Sequence, residues 1–302
     1  MNLPTISIVT PSLNQGKFIR TTIRSVIDQG YEKLEYLVMD GGSEDESCAI
    51  ATEFVPQLTL IREKDEGQSD AINKGFSRVS GEIIGWLNSD DYYAPGALDK
   101  IAAVFADRPD VGLVYGNAEC VNEAGYPLAP VVSIEPFNLG RLLSVGCFVC
   151  QPAAFFRRSA FEAVGRLRRE LNWCMDYDLW IRLGKHSKVC YIPETLAFFR
   201  WYSDNKTASG GRRRHAEIEQ MIKSHGGTGL PAFYRLEAAA WDGYDALQFA
   251  RKLRFQNAGR SAAMALGRVA LSPRTISTLM SPHTWRVIRT ARRRDARIRK
   301  PA

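Results

Sequence analysis

No apolar run in this 302-residue chain approaches the ~18 residues that a helix needs to cross a bilayer. No basic segment followed by an apolar stretch opens it, since Met1-Asn2-Leu3-Pro4 leads directly into a strand-like segment, so no signal peptide is expected. Histidine is scarce, with four residues, and the six cysteines are scattered. One CxxC, Cys147-Phe148-Val149-Cys150, has neither a second pair nor a suitably spaced histidine, which argues against zinc. Its apolar setting points to buried, reduced thiols and a cytoplasmic compartment. No internal repeat is visible.

What remains is an ordinary globular composition, 45% hydrophobic and 24% charged, enough for one large domain and an appendage. The net charge of +7 is unevenly spread. Residues 212–302 carry 19 Lys+Arg against 6 Asp+Glu, or +13, whereas 1–211 carry 21 against 27, or −6. Two functional regions follow from that split: a domain over 1–210, itself divided into 1–116 and 117–210, and a basic helical extension over 211–302.

The first half alternates strand and helix patterns. Thr5–Thr10, Leu34–Met39, Leu58–Arg62, Ile83–Leu87 and Val111–Tyr115 read as strands. Helices are expected over Lys17–Asp28, Glu46–Phe54, Ser69–Val79 and Pro95–Phe105, the last with proline in its first turn. Repeated βα units of this length predict an α/β fold with a parallel sheet and helices on both faces. Past Gly116 the pattern changes to a hairpin of 118–122 with 128–133, short strands at 153–156, 189–192 and 195–201, and a helix over Tyr177–Leu183. After Gly210-Gly211 the chain reads as mainly helical.

The chemistry concentrates where the apolar run Ile83-Ile84-Gly85-Trp86-Leu87 ends in Asn88-Ser89-Asp90-Asp91. Open α/β sheets bind ligands at the carboxyl ends of their strands. Adjacent carboxylates there suit Mg²⁺ or Mn²⁺, which arrive with substrate phosphates. The alternative is a helix cap or a turn. Asp40-Gly41-Gly42-Ser43 and Glu66-Gly67-Gln68-Ser69-Asp70 carry the same ambiguity between ligand loop and capped turn.

Four segments fall in a fixed order: Ser7–Asn14, Val38–Asp45, Asp65–Gly75 followed by Gly81-Glu82 and Asn88–Asp91, and Met175–Leu183. Together they resemble glycosyltransferase family 2, inverting enzymes of the GT-A fold that include cell-wall biosynthesis enzymes, across about residues 5–205. The resemblance implies a mixed sheet flanked by helices, a nucleotide-sugar donor (UDP-, dTDP- or GDP-linked), a divalent Mn²⁺ or Mg²⁺, and a glycan or polyprenyl-linked acceptor. Carried over by position, Pro11, Ser12 and Asn14 line the nucleotide pocket, and Asp40 with Gly41 meets the base. Gly67 and Asp70 belong to a donor loop. Asn88, Ser89 and Asp90 face the ribose or sugar, Asp91 binds the metal, and Asp176 is the catalytic base, with Asp178 its rival. Gln151, Asp178, Arg182 and Arg200 are weaker candidates for donor or acceptor contact. An Asp178–Arg182 ion pair at i,i+4 is the structural alternative for those two.

Two departures matter. Where many relatives carry Arg-x-His, this chain has Arg200-Trp201-Tyr202, which leaves Tyr202 in the place of a metal-ligating histidine. The QxxRW pattern of processive synthases is absent, so transfer of a single sugar is expected. A nucleotidyltransferase is the rival enzyme reading, weakened because Pro11–Gly16 is not the Gly-rich basic loop it needs. A non-catalytic nucleotide-sugar-binding module has no need of Asp176. The Arg-rich segment 285–300 is expected either to lie on an anionic membrane surface, making the protein peripheral on the inner leaflet, or to be a solvated tail. No nucleic-acid partner is expected.

Overall fold

A computed structural model describes residues 3–128, 134–202 and 205–251. The chain divides into two compact units, one of residues 1–129, 134–137 and 148–202, the other of 130–133, 138–147 and 203–302. The elements run β1 Ile6–Ser12, α1 Gly16–Ile27, β2 Leu34–Asp40, α2 Ser47–Thr52, β3 Thr59–Arg62, α3 Gln68–Phe76, β4 Ile83–Trp86, β5 Tyr92–Tyr93, α4 Ala97–Asp107, β6 Val111–Val121, α5 Leu139–Ser144, β7 Ala154–Arg157, α6 Arg158–Val164, α7 Met175–His186, β8 Lys188–Arg200, α8 Lys206–Ser209, α9 Gly211–Ser224 and α10 Ala232–Arg251.

The first unit is built on one eight-stranded sheet of order β3-β2-β1-β4-β7-β6-β8-β5. The β-branched first strands are buried throughout, as parallel strands covered on both faces must be. β1 pairs in parallel with β2 and with β4, and β2 with β3. β7 is antiparallel to both β4 and β6, so the sheet is mixed. Pro11 lies within β1 but beyond the β4 pairing, which stops at Val9↔Trp86, so its missing N–H costs no rung on that side.

Local differences from the sequence reading have physical causes. Segments 189–192 and 195–201 are one strand, β8, because β6 continues alongside it through register shifts. Residues 118–121 belong to β6, and the turn after them closes with a Val121–Pro127 bridge. The helix expected from Pro95 starts at Ala97, with left-handed Gly96 as its cap (φ 72°).

Most of the core lies in the sheet and its helices: Ile6, Ile8, Ile19, Ile23, Val38, Ile83, Leu98, Ile101 and Phe155 are all fully buried. A second aromatic group packs Trp86 on Trp180 (5.6 Å, 15°), with Phe76, Phe156 and Phe161 around them. That stack ties β4 to α7, the two elements that carry the acidic motifs.

In the second unit, α9 buries Ile218, Met221 and Ile222, and α10 buries Ala232 and Ala238. Arg212 pairs with Asp242 (2.7 Å), and Arg214 and His215 both reach Glu237. Among the described residues no helix is long and apolar enough to cross a membrane. The segment 285–300 lies outside the described residues.

Candidate active site

Parallel pairing sets the ends of β1, β2 and β4 side by side. Ser12 is in register with Asp40, and Val9 with Trp86, two residues before Asn88. With β3, whose Arg62 is in register with Asp40, four loops start from one edge of the sheet. The β1 and β2 loops are tied by Asn14, whose N–H donates to Ser43 Oγ (2.9 Å) and whose Oδ1 accepts the N–H of Glu44 (2.9 Å). Asn14 adopts φ 54°, a conformation that asparagine tolerates because its short amide bonds locally.

Asp40 is turned inward, with 1% of its surface exposed. Its Oδ1 accepts the N–H groups of Gly42 and Ser43 (3.0 and 2.8 Å), and its Oδ2 accepts the Ser43 hydroxyl (2.5 Å). Burial would raise this carboxyl, but those bonds and one from Cys48 outweigh it and hold it below its ordinary range. Both oxygens of Asp40, the residue expected to meet a nucleotide base, also serve the turn. Asp70 is similarly committed. It accepts the N–H of Glu66 (3.0 Å) and pairs with Lys74 (3.1 Å) and Arg169 (3.4 Å), which makes it the anchor of the loop around Gly67.

The acidic pair has a different setting. Asp91 is 5% exposed. Its Oδ1 accepts the N–H of Arg200 (3.0 Å), and Asn88 Nδ2 lies 3.4 Å from its Oδ2. Burial and then the charge of Asp90 push the Asp91 carboxyl well above its ordinary range. Burial raises Asp90 also, against the pull of the Tyr202 hydroxyl, which donates to its Oδ2 (2.9 Å). Thr22 holds the loop from below, donating to the carbonyls of Ser89 and Asp91 (2.8 and 2.6 Å).

Arg200 is 7% exposed and lies between the rings of Phe18 and Tyr92 (5.0 and 4.9 Å to the centroids). Its guanidinium donates to the main-chain carbonyl of Asp90. Arg200, expected to contact donor or acceptor, lies as a clamp beneath the acidic loop.

A chain of amides links this loop to its neighbours. Gln68 Nε2 donates to Asn88 Oδ1 (2.7 Å), Asn88 Nδ2 to Gln151 Oε1 (3.0 Å), and Gln151 Nε2 to the carbonyl of Trp86 (2.7 Å). At the start of α3, Ser69 Oγ reaches Met175 Sδ (2.7 Å), one residue before Asp176. Asp176 is half-buried on the first turn of α7, where its Oδ1 accepts the N–H of Tyr177 (2.8 Å). Burial raises the thiol of Cys150 well above its ordinary value, and the charges of Asp91 and Asp176 add to that rise.

Asp178 separates from Asp176. It is fully buried and pairs with Arg182 (2.7 Å) and Arg168 (3.2 Å). Arg182 also donates to the carbonyls of Val164, Gly165 and Arg166. The pair fastens that loop, the i,i+4 ion pair that was the structural alternative for both residues.

Among the described residues no three His, Cys, Asp or Glu side chains are grouped to hold a metal ion. The site nonetheless suits a hard divalent cation completed by other oxygens: two adjacent carboxylates share a buried loop, and their mutual repulsion is what a cation relieves. The residues missed by sequence reasoning are Thr22, Gln68 and the Asp90-binding role of Tyr202. Only Tyr202 left a signal, by standing where a histidine was expected.

Residues 7–165 match Glycosyl transferase family 2. The chain belongs to that family. It is a glycosyltransferase, and the nucleotidyltransferase and binding-module readings are set aside. Among curated proteins it is 27% identical over 230 residues to an uncharacterized glycosyltransferase of Rickettsia typhi, covering 72% of this chain and 70% of that one. It is 30% identical over 187 residues to a PGL/p-HBAD biosynthesis glycosyltransferase of Mycobacterium bovis, covering 60% and 70%. The chain spans only about a third of some other Rickettsia relatives, 35% of that from Rickettsia felis. Solved structures share the fold: Staphylococcus aureus TarS 1-349 in complex with UDP-GlcNAc (TM-score 0.60, 15% identity, 90% of this chain and 82% of that one) and a Pyrobaculum calidifontis mannosyltransferase with GDP-Man and Mn²⁺ (0.58, 19%, 96% and 85%). The mixed sheet is that of GT-A glycosyltransferases.

Proposed function

We propose that this chain moves one sugar from a nucleotide-sugar donor to a hydroxyl of a cell-surface glycan or polyprenyl-linked acceptor, by metal-dependent direct displacement with inversion. The observation that carries the reading is the adjacent pair of half-buried Asp90 and buried Asp91 at the carboxyl edge of the sheet, held from beneath by Thr22 and Arg200. The donors named for the fold relatives, UDP-GlcNAc and GDP-Man, fit this class.

A bound Mn²⁺ or Mg²⁺ would offset the negative charge that develops on the diphosphate leaving group. Asp91 would hold it, with Asp90 fixed beside it by Tyr202. Asp176 takes the proton of the acceptor hydroxyl as the new bond to the anomeric carbon forms and the bond to the diphosphate oxygen breaks. A single displacement needs only this one base and inverts the centre. Asp178 is no rival, because its carboxylate is buried between two arginines. Pro11, Ser12, Asn14, Gly41 and Gly67 line the donor side, and the amide chain through Gln151 keeps Asn88 and Asp91 in register. The basic segment 285–300 would hold the enzyme to an anionic inner leaflet near a lipid-linked acceptor.

The test uses full-length Asp176→Asn. It should bind donor with unchanged affinity and lose transfer by about a hundredfold or more. Near-normal turnover would move the base elsewhere.

A further inference from the structure

The acidic loop runs from the end of β4 into β5, and the sheet supports it on one side only. β5 is an edge strand, paired with β8 through Tyr92↔Phe198 and Tyr93↔Ala197. On that side the N–H of Ala94 donates to the carbonyl of Leu196 (2.8 Å), and Asp91 Oδ1 accepts the N–H of Arg200 (3.0 Å). Among the described residues no strand pairs with the other edge. Buried main-chain groups left without partners there would be costly.

α1 covers that edge with side chains. Thr22 Oγ1 shares its one proton between the carbonyls of Ser89 (2.8 Å) and Asp91 (2.6 Å), one on either side of Asp90. Ser25 Oγ accepts the N–H of Tyr93 (3.1 Å). Gln29, just past the end of α1, donates Nε2 to the carbonyl of Ala94 (3.0 Å) and accepts the N–H of Leu98 at Oε1 (3.3 Å). Positions 22, 25 and 29 share one face by helical spacing, while Ile19, Ile23 and Val26 beside them are fully buried core. The stripe also holds itself together. Ser25 Oγ donates to the carbonyl of Thr22 (2.8 Å), and Gln29 Nε2 to that of Ser25 (2.8 Å). At its other end α1 is fixed to the β2 loop, where the N–H of Gln15 donates to Ser47 Oγ and that of Gly16 to Asp45 Oδ2, both at 2.8 Å.

We propose that Thr22, Ser25 and Gln29 are positioning residues for the divalent cation, setting the course of the acidic loop from α1 before an ion arrives. The inference rests on the reading of Asp91 as the metal ligand. With Oδ1 of Asp91 committed to Arg200, the place of Oδ2 is decided by the main chain between Ser89 and Ala94. Mg²⁺ and similar hard cations tolerate little displacement of a ligand oxygen. Groups that orient a ligand from behind typically carry about ten- to a hundredfold of metal affinity. The three side chains act through the main chain of the loop. Their loss should therefore fall on the metal-dependent part of donor binding and leave the metal-free part in place.

Calorimetric titration of full-length protein with UDP, with and without Mn²⁺, tests this. Mn²⁺ should tighten UDP binding to the wild type by about tenfold or more. Thr22→Val keeps the shape and removes the hydroxyl. It should cut that tightening to about threefold or less, with metal-free UDP affinity within about twofold of the wild type. Thr22→Ser, which keeps the hydroxyl, should restore it. Gln29→Met should lower the tightening as well, and decides the matter should Thr22→Val fail to fold. Tyr31→Phe is the control for a merely structural loss: it removes a buried bond from the Tyr31 hydroxyl to the carbonyl of Pro4 (2.5 Å), at the amino end of β1. It should lower the thermal midpoint and leave the Mn²⁺ effect intact. Full tightening in Thr22→Val and Gln29→Met, or an equal loss in Tyr31→Phe, would overturn the positioning role alone. No tightening in the wild type would overturn the metal site and this inference with it, so the two failures are distinguishable.

Discussion

The hydroxyl of Tyr202 donates to Asp90 Oδ2 over 2.9 Å, joining residues 112 positions apart. The ring packs on Phe18 (5.3 Å between centroids), and burial together with the Asp90 charge keeps the phenol protonated far above its ordinary pKa. A hydroxyl that donates to Asp90 thus stands at the position of the expected histidine. It fixes one carboxylate of the pair, which leaves the orientation of that carboxylate independent of any bound ion.

Tyr202→Phe keeps the ring on Phe18 and removes only the hydroxyl. A hydrogen bond to a charged group contributes about 1.5–3 kcal/mol, so transfer should fall by about ten- to a hundredfold. The thermal midpoint should stay near that of the wild type. The check is kcat and KM alongside a melt: an unaltered rate would show that Asp90 needs no such support.

Asp178 and Arg182 answer a different question. Asp178→Asn removes one partner from a fully buried pair and should destabilise the protein by about 3–5 kcal/mol, visible in urea denaturation. Asp176→Asn, at a half-buried helix turn, should change stability little. Reversed stabilities would mean that the two acids have been assigned to the wrong roles.

The raised carboxyl of Asp91 links metal binding to pH. Its folded form holds a proton more tightly than its unfolded form, so its contribution to stability is complete below the ordinary carboxylate range and is lost as pH rises through the elevated folded value. A divalent cation takes the place of that proton. Stabilisation of the protein by Mn²⁺ with UDP should therefore be small near pH ~5 and grow toward pH ~7.5, as read by differential scanning fluorimetry. A shift largest at the acid end would contradict the link.

Local chemistry explains what the sequence reveals and what it hides. The strands β1, β2 and β4 were legible because buried parallel strands are continuous apolar runs, and their ends identified the loops of Asp40 and Asp91. The antiparallel entry of β7 between β4 and β6 left no such mark, since strand order is decided by packing across 70 residues or more of chain, as in the Ile84↔Phe156 pairing. Contacts such as Thr22 to the Asp91 carbonyl, or Gln68 to Asn88 and on to Gln151, join single polar side chains at long separation and have no periodicity to read. Asp40 shows the converse. Its motif was legible, but an Asp-Gly-Gly-Ser run that can shape a turn does so here with both oxygens.

The central claim is that Asp91 joins a divalent cation to the donor diphosphate. Isothermal titration of UDP with and without Mn²⁺, in wild type and in Asp91→Asn, tests it most directly. Mn²⁺ should tighten binding to the wild type by about tenfold or more and leave the variant at its metal-free affinity. The same tightening in both proteins would place the metal on other ligands and contradict the account.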